Sequence, residues 1–258
     1  MAALSFQTVP GGEEPGRFAD VRRVDETGST NADLLLLARS GASEGVVVMT
    51  GHQRSGRGRR GRTWLAPPGS ALLASVLLRP ALGPEAAHLV TVAAALAAVD
   101  ACHEVAGVDP GLKWPNDLVV DIDGATSKLA GLLAESLVEG DRLAAVVVGM
   151  GCNLTTAPPG AVCLDDLAGR AVDRDELLAS WLAHLDRRYP SPSRVGALLD
   201  DYRRRTTTLG RTVRVELTGE TIEGRAIDVT EAGHLMVETA AGRREVTAGD
   251  VVHLRPDP

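Results

Sequence analysis

The sequence predicts an α+β protein, with a central mixed or antiparallel sheet flanked by helices and a small all-β domain at the C-terminus. Three observations predict it. Up to about residue 205, apolar runs of strand length alternate with longer segments whose apolar residues recur at helical spacing. From Thr212 the texture changes to strict alternation, with Val213, Val215 and Leu217 separated by Arg214 and Glu216. The chain has 258 residues and is 44% hydrophobic but only 3% aromatic, enough for one large domain plus a small one cored by Leu, Val and Ala.

Taken in order, Met1 to Phe18 contains a Pro- and Gly-rich run at Pro10–Gly16 and reads as a loose leader, assigned to residues 1–20. It leaves no room for a helix-turn-helix before Val21. A short strand at Val21–Asp25 leads to a helix capped by Ser29, with Leu34, Leu35 and Leu37 in its apolar stripe and Gly41 or Gly45 ending it. Val46–Met49 is a buried strand. Residues 50–69 read as a long Gly/Arg-rich gap, and gaps of that length are functional or disordered. Ser70–Leu78 is a strand and Pro84–Val105 a long helix carrying Leu89, Val92, Ala93, Leu96 and Val99.

Leu112–Asp123 and Lys128–Val138 are extended segments around a turn at Asp123-Gly124, and Arg142–Gly149 is another buried strand. Helices follow at Asp175–Tyr189 and Arg194–Arg205, the second capped by Ser193. Turn signals at Thr218-Gly219, Ala232-Gly233, Ala241-Gly242 and Gly249-Asp250 then mark the strands of a small barrel. The boundary falls near Thr206–Gly210, giving domains at 21–208 and 209–258.

Net charge is −7, which argues against a global nucleic-acid binder and makes the one basic segment a local anion site. Cys102, Cys152 and Cys163 have neither a close pairing nor a C-x-x-C, so a disulfide framework and a zinc ribbon are both disfavoured. The six histidines are scattered without ligand spacing. No secretory signal opens the chain, and the longest apolar stretch, Leu89 to Cys102, is interrupted and too short for a bilayer. A soluble cytoplasmic protein without a membrane or DNA partner is the expectation.

Four segments carry chemistry. In Gly51–Trp64, arginines at 54, 57, 59, 60 and 62 are interleaved with Gly56, Gly58 and Gly61. Glycines let backbone approach a ligand, and guanidinium forks bind phosphate with assistance from charge. The loop suits a polyphosphate, although it lacks the Gly-Lys-Ser/Thr ending of a Walker A loop; an RNA-touching Gly/Arg tail is the bland alternative. Lys113–Asp117 (Lys-Trp-Pro-Asn-Asp) is either a polar pocket lining or a structural turn, with Pro115 imposing extended geometry on Trp114. In Lys128–Glu135 the lysine either marks a strand end or faces the same site, and Gly131 allows a close approach. Finally, Gly149–Asn153 ends a buried strand in Gly-x-Gly, then an amide.

Together with Gly28–Asn31, these segments, in this order, resemble the catalytic domain of biotin–protein ligases over most of residues 21 to 155, and the β-rich tail fits the SH3-like C-terminal domain of that family. The resemblance is to the monofunctional type without an N-terminal DNA-binding domain. It implies a class II synthetase-like fold of the biotin/lipoate ligase type, ATP and biotin as substrates with Mg2+ as activator, and no tightly bound prosthetic group. It further implies transfer of biotin from biotinyl-5'-AMP to a lysine of a biotin carboxyl carrier domain. A homodimer is left open.

The same resemblance implies roles residue by residue. Ser29, Thr30, Asn31 and Gln53, with Gly56 and Gly131, belong to biotin binding, the first two and Gln53 meeting the ureido ring. Arg57 holds the biotin carboxylate and later the adenylate phosphate. Arg59, Arg60, Arg62, Lys113, Asn116 and Asn153 serve ATP or the adenylate, and Trp64 packs beneath the loop. Lys128 is the central catalytic cation, and Asp117 guides the carrier lysine. The metal ligands are not identified. Two features depart from the family pattern: Thr50-Gly-His52 precedes Gln53, and nothing after Gly169 matches a motif. The rivals are a lipoate or octanoyl ligase or transferase, with Cys152 or Cys163 holding an acyl group, and a nucleic-acid binder.

Overall fold

A computed structural model describes residues 16–190, 194–247 and 249–254. The first domain is a seven-stranded sheet in the order β1 (Val21–Thr27), β2 (Val47–Gln53), β3 (Ala71–Leu78), β7 (Arg142–Asn153), β6 (Ala125–Glu139), β5 (Asp117–Ile122), β4 (Gly111–Lys113). β1 and β2 are parallel because helix α1 (Thr30–Arg39) crosses between them, and every other neighbouring pair is antiparallel. The mixed sheet with flanking helices is the one anticipated. At the β5–β6 turn, Asp123 and Gly124 both take positive φ, 50° and 76°, as a two-residue hairpin needs.

The sheet is covered on both faces. Leu72, Ala74, Val76 and Leu78 of β3 face the main core, while Leu77 faces a smaller cluster with Leu34 and Ala38 of α1. Burial on both faces is why β3 reads as an unbroken apolar run. The main core is built on α2 (His88–Ala106), apolar all round and wrapped by α4 (Arg174–Arg187) and α5 (Val195–Arg205). Trp181 of α4 is fully buried and donates its indole N–H to the Ala94 carbonyl at 3.0 Å. The apolar segment is longer than the run Leu89–Cys102 suggested. Pro84–Ala106 has the length and hydropathy to cross a membrane, but 78% of its apolar window is buried in the fold.

Several boundaries move. Residues 1–15 of the leader lie outside the described residues; near its end, Phe18 is buried in the main core, and Arg17 pairs with Glu44 and Asp186 and stacks 3.9 Å over the Tyr189 ring. An aromatic ring gains ~1.5–3 kcal/mol on full burial, which suffices to pin a chain end. The Ser193 cap falls outside the described residues. The gap at 50–69 is shorter than expected, because β2 continues to Gln53 and the loop folds onto itself through an Arg57–Thr63 bridge and a Trp64 N–H to Gly56 carbonyl bond of 3.0 Å. A short helix, α3 (Leu164–Ala168), was not anticipated; Gly169 ends it in the left-handed region.

The C-terminal domain is a five-stranded antiparallel sheet in the order β11 (Gly242–Val246), β10 (Leu235–Thr239), β9 (Thr221–Val229), β8 (Thr212–Glu216), β12 (Asp250–His253). Its alternating residues Val213, Val215, Leu235 and Val237 are fully buried, as the pattern requires. It docks on the first domain: the Trp114 indole donates to the Gly233 carbonyl at 2.9 Å, and Arg203 donates to the Val229 carbonyl at 2.6 Å.

His253 sits in this junction, 3.1 Å from Thr208 Oγ1 and 3.5 Å from Thr126 Oγ1. Burial, helped by Lys113 and Arg211 and opposed by Asp121, lowers its pKa to about 4. A histidine depressed in the folded state stabilises above its unfolded pKa of roughly 6.5, and that contribution is lost as pH falls towards 4. Allowing for solvent screening at the partly exposed ring, the contribution is of order 1 kcal/mol. Replacing His253→Gln is therefore expected to flatten the fall in melting temperature between pH 6.5 and 4. Parallel curves for the two proteins would refute it.

Candidate active site

The segments singled out in the sequence meet at one cavity of about 140 Å3, between the β2–β3–β7–β6 face, the Arg/Gly loop and the C-terminal domain. Its floor is a polar ladder. Ser29 caps α1, accepting from Ala32 N–H, and so fixes the first turn against β2. The Thr30 N–H donates to Gln53 Oε1 at 2.9 Å, and Thr30 Oγ1 meets the buried Ser75 hydroxyl at 2.7 Å. Ser75 Oγ donates to Asn31 Oδ1 at 2.6 Å, and Asn31 Nδ2 donates to the Leu133 carbonyl and to Glu135 Oε2 at 3.1 and 2.9 Å.

One wall is Lys128, whose ammonium lies 2.7 Å from Asp117 Oδ1 and 5.4 Å from the Trp64 ring centroid. Gly131 makes this crossing possible: a Cβ there would stand 3.0 Å from Lys128 Nζ and 3.4 Å from Asp117 Oδ1. Trp64 lies flat against β7, and a Cβ on Gly151 would be 2.5 Å from its ring. An indole cannot swing away as the tip of a flexible chain can. Gly151→Ala is accordingly expected to cost about 1–3 kcal/mol of stability through overpacking, and an unshifted melting curve would contradict it.

The loop closes the cavity, and the C-terminal domain holds the loop. Asp250 lines the cavity and pairs with Arg62 at 2.7 Å and with Arg60 at 3.4 Å. Arg60, at a positive φ of 53°, reaches the Glu216 carbonyl at 2.7 Å. Arg59 lies 3.4 Å from both Asn116 Oδ1 and the Gly249 carbonyl; burial pushes its pKa below the usual arginine value, against the pull of Asp250 and Asp117. Arg57 is more exposed, and its guanidinium lies 3.6 Å from Glu135.

Of the residues expected from sequence, Ser29, Thr30, Asn31, Gln53, Arg57, Arg59, Arg62, Trp64, Asn116, Asp117, Lys128 and Gly131 line this cavity. Four do not. Arg60 turns to the C-terminal domain, and Gly56 lies where a Cβ would strike the Trp64 carbonyl, so it serves loop closure. Lys113 stands behind the Asp117–Lys128 pair, and burial pushes its pKa down despite Asp117. Asn153, buried and donating to the Val162 carbonyl at 3.0 Å, opens on an adjoining cleft shared with Gln53, Leu65 and Pro158.

Three residues that sequence reading missed are Ser75, Glu135 and Asp250. Ser75 is the lone hydroxyl in an apolar strand, which is a usable signal. Glu135 ends a recognised motif, and Asp250 looked only like part of a turn. Among the described residues no group of three His, Cys, Asp or Glu side chains is arranged to hold a metal. Cys152 and Cys163 are buried, and their thiols are pushed up, Cys152 by its contact with Cys102 and by burial, Cys163 by burial. Neither suits an acyl-carrying nucleophile.

Residues 22–153 match the Biotin/lipoate A/B protein ligase family, and residues 208–254 match the biotin protein ligase C-terminal domain. A biotin–[acetyl-CoA-carboxylase] ligase of Mycobacterium tuberculosis is 41% identical over 243 residues, covering 90% of this chain and 88% of that protein. One of the same name from Paracoccus denitrificans is 37% identical, covering 87% and 97%. The structure of a biotin protein ligase from Aquifex aeolicus in complex with biotin and ATP is 25% identical, with a TM-score of 0.76, covering 93% of this chain and all of that one. On fold, cavity and sequence alike, the chain belongs to the biotin/lipoate A/B protein ligase family, and it carries the C-terminal domain of the biotin protein ligases.

Proposed function

We propose that the protein is an ATP-dependent biotin–protein ligase that forms biotinyl-5'-AMP, releases pyrophosphate, and transfers biotin to a lysine of a biotin carboxyl carrier domain. The observation that carries this reading is the joining, in one cavity, of a buried hydrogen-bonding floor to two cations, Arg57 and Lys128. A ureido head needs fixed donors and acceptors out of water, and Thr30, Gln53 and Ser29 supply them. A carboxylate approaching a phosphate needs its repulsion offset, and Arg57 and Lys128 do this at the far end.

In the first step a biotin carboxylate oxygen attacks the α-phosphorus of ATP, and the bond to pyrophosphate breaks. Negative charge grows on the phosphoryl oxygens, where fixed cations act most strongly. Arg59 and Arg62 face the leaving pyrophosphate, and Lys113 and Asn116 stand behind them. In this reading Asn153 and the adjoining cleft serve the nucleoside. Mg2+ accompanying ATP would supply further positive charge at the phosphates, and Arg59 and Arg62 would share that charge from the loop. In the second step the carrier amine attacks the acyl carbon and AMP departs; Asp117 guides or deprotonates that amine.

The rivals lose support in the geometry. Arginines 59, 60 and 62 of the loop are engaged by Asn116, Glu216 and Asp250, which argues against a free nucleic-acid-binding strip. The three free, buried cysteines suit a reducing cytoplasm. The deciding experiment is ATP–pyrophosphate exchange with purified protein and Mg2+, with biotin, with lipoate, and with neither. Exchange with biotin alone is expected. Exchange with lipoate would move the protein to the lipoate branch, and none with either would overturn the adenylation chemistry.

A further inference from the structure

We propose that Glu135 is a positioning residue that holds the loop arginine Arg57 in place and couples it to the floor where the substrate head binds. The inference rests on the ligase reading above. Glu135 belongs to β6, on the rigid sheet, whereas Arg57 belongs to the loop. One oxygen of Glu135, Oε2, accepts from Asn31 Nδ2 at 2.9 Å; the other, Oε1, lies 3.6 Å from Arg57 Nη1.

A count of protons gives the connection a single direction. Ser75 donates its one hydroxyl hydrogen to Asn31 Oδ1, so it must accept from Thr30 Oγ1. That uses the single Thr30 hydroxyl hydrogen, so Gln53 Oε1, although 3.1 Å from Thr30 Oγ1, accepts from the Thr30 backbone N–H instead. The two hydrogens on Asn31 Nδ2 go to the Leu133 carbonyl and to Glu135. Buried networks with one allowed orientation are stiff and transmit displacement. Gly149 closes the ladder from behind, since a Cβ there would stand 2.3 Å from Asn31 Oδ1.

The chain therefore runs from Gln53 and Thr30 at the head end, through Ser75 and Asn31, to Glu135 and Arg57 at the carboxylate end. Arg57 has five donors in a planar fork, so one edge can face Glu135 while the rest remain for the substrate anion. Without Glu135 the guanidinium is a long side chain on a loop, more than half exposed, and its ordering must be supplied by the ligand.

A merely structural role, in which Glu135 only satisfies Asn31, makes a different prediction, and a double-mutant cycle separates the two. Glu135→Gln keeps an acceptor for Asn31 but removes the charge that faces Arg57. It is expected to release biotinyl-adenylate about five-fold faster than wild type, a coupling typical of residues in direct contact. In an Arg57→Ala background the same change is expected to add nothing. Unchanged release in Glu135→Gln, or equal acceleration in both backgrounds, would overturn the proposal. If Glu135→Gln does not fold, Glu135→Asp, which keeps the charge but draws it back from Arg57, is read in the same two backgrounds. Wild-type protein that makes no biotinyl-adenylate would sink the ligase reading itself; wild type that makes it, with release indifferent to residue 135, would sink only this inference.

Discussion

Lys128→Ala is expected to slow biotinyl-adenylate formation by about 10²–10³-fold, the cost of removing one preorganised charge from a developing anion. Lys128 is fixed by Asp117 at 2.7 Å and flanked by Trp64, on a strand whose next turn of approach is cleared by Gly131. Its position is thus set before substrate arrives, which is what makes a cation count more in the transition state than in the ground state. Stability should change by less than about 1 kcal/mol, since the ion pair is partly exposed and such pairs contribute little. Single-turnover adenylation alongside a thermal melt tests both halves. A rate near that of wild type would remove Lys128 from the chemistry, and a large loss of stability would recast it as a structural residue.

What could be read beforehand follows the range of the interactions. Local ones were legible: the Ser29 cap, the Asp123-Gly124 turn, the alternation of Val213 and Val215, and the unbroken apolar run of β3. Each depends on residues within a few positions of one another. The site's supporting contacts span far greater distances in sequence. Asn31 meets Glu135, and Arg62 meets Asp250 from another domain, and no periodicity encodes either pairing.

The glycines illustrate the same limit from the other side. Their abundance near the motifs was plain, but what each one avoids was not. Gly131 clears Lys128, Gly149 clears Asn31, Gly151 clears Trp64, and Gly56 clears a backbone carbonyl. The Arg/Gly loop looked structureless for a related reason. Its order comes from one bridge, Arg57 to Thr63, and from cross-domain contacts by Arg59, Arg60 and Arg62, none of which leaves an apolar pattern. The burial of Phe18 is likewise invisible locally, because the Pro/Gly run beside it dominates the composition while its partners lie elsewhere in the chain.

Arg57→Ala should have its main effect after the adenylate has formed. Arg59, Arg60 and Arg62 tie the loop to Asn116, Glu216 and Asp250, so the loop stays docked when Arg57 is shortened. What is lost is a charge-assisted contact to the anion, worth ~1.5–3 kcal/mol, or about ten-fold to a hundred-fold in retention. Formation of the adenylate should suffer less, because in the proposed mechanism Lys128 still faces the reacting phosphorus. The expected signature is a split: release of biotinyl-adenylate rises by at least about ten-fold, and biotin begins to reach lysines on unrelated proteins, whose amines meet the escaped acyl-adenylate in solution. Release is measured by trapping free adenylate after a pulse of biotin and Mg2+-ATP. If release is unchanged while formation collapses, then Arg57 acts on the attacking carboxylate alone, and retention falls to the anchored arginines, Arg59 and Arg62, which the C-terminal domain holds across the cavity mouth.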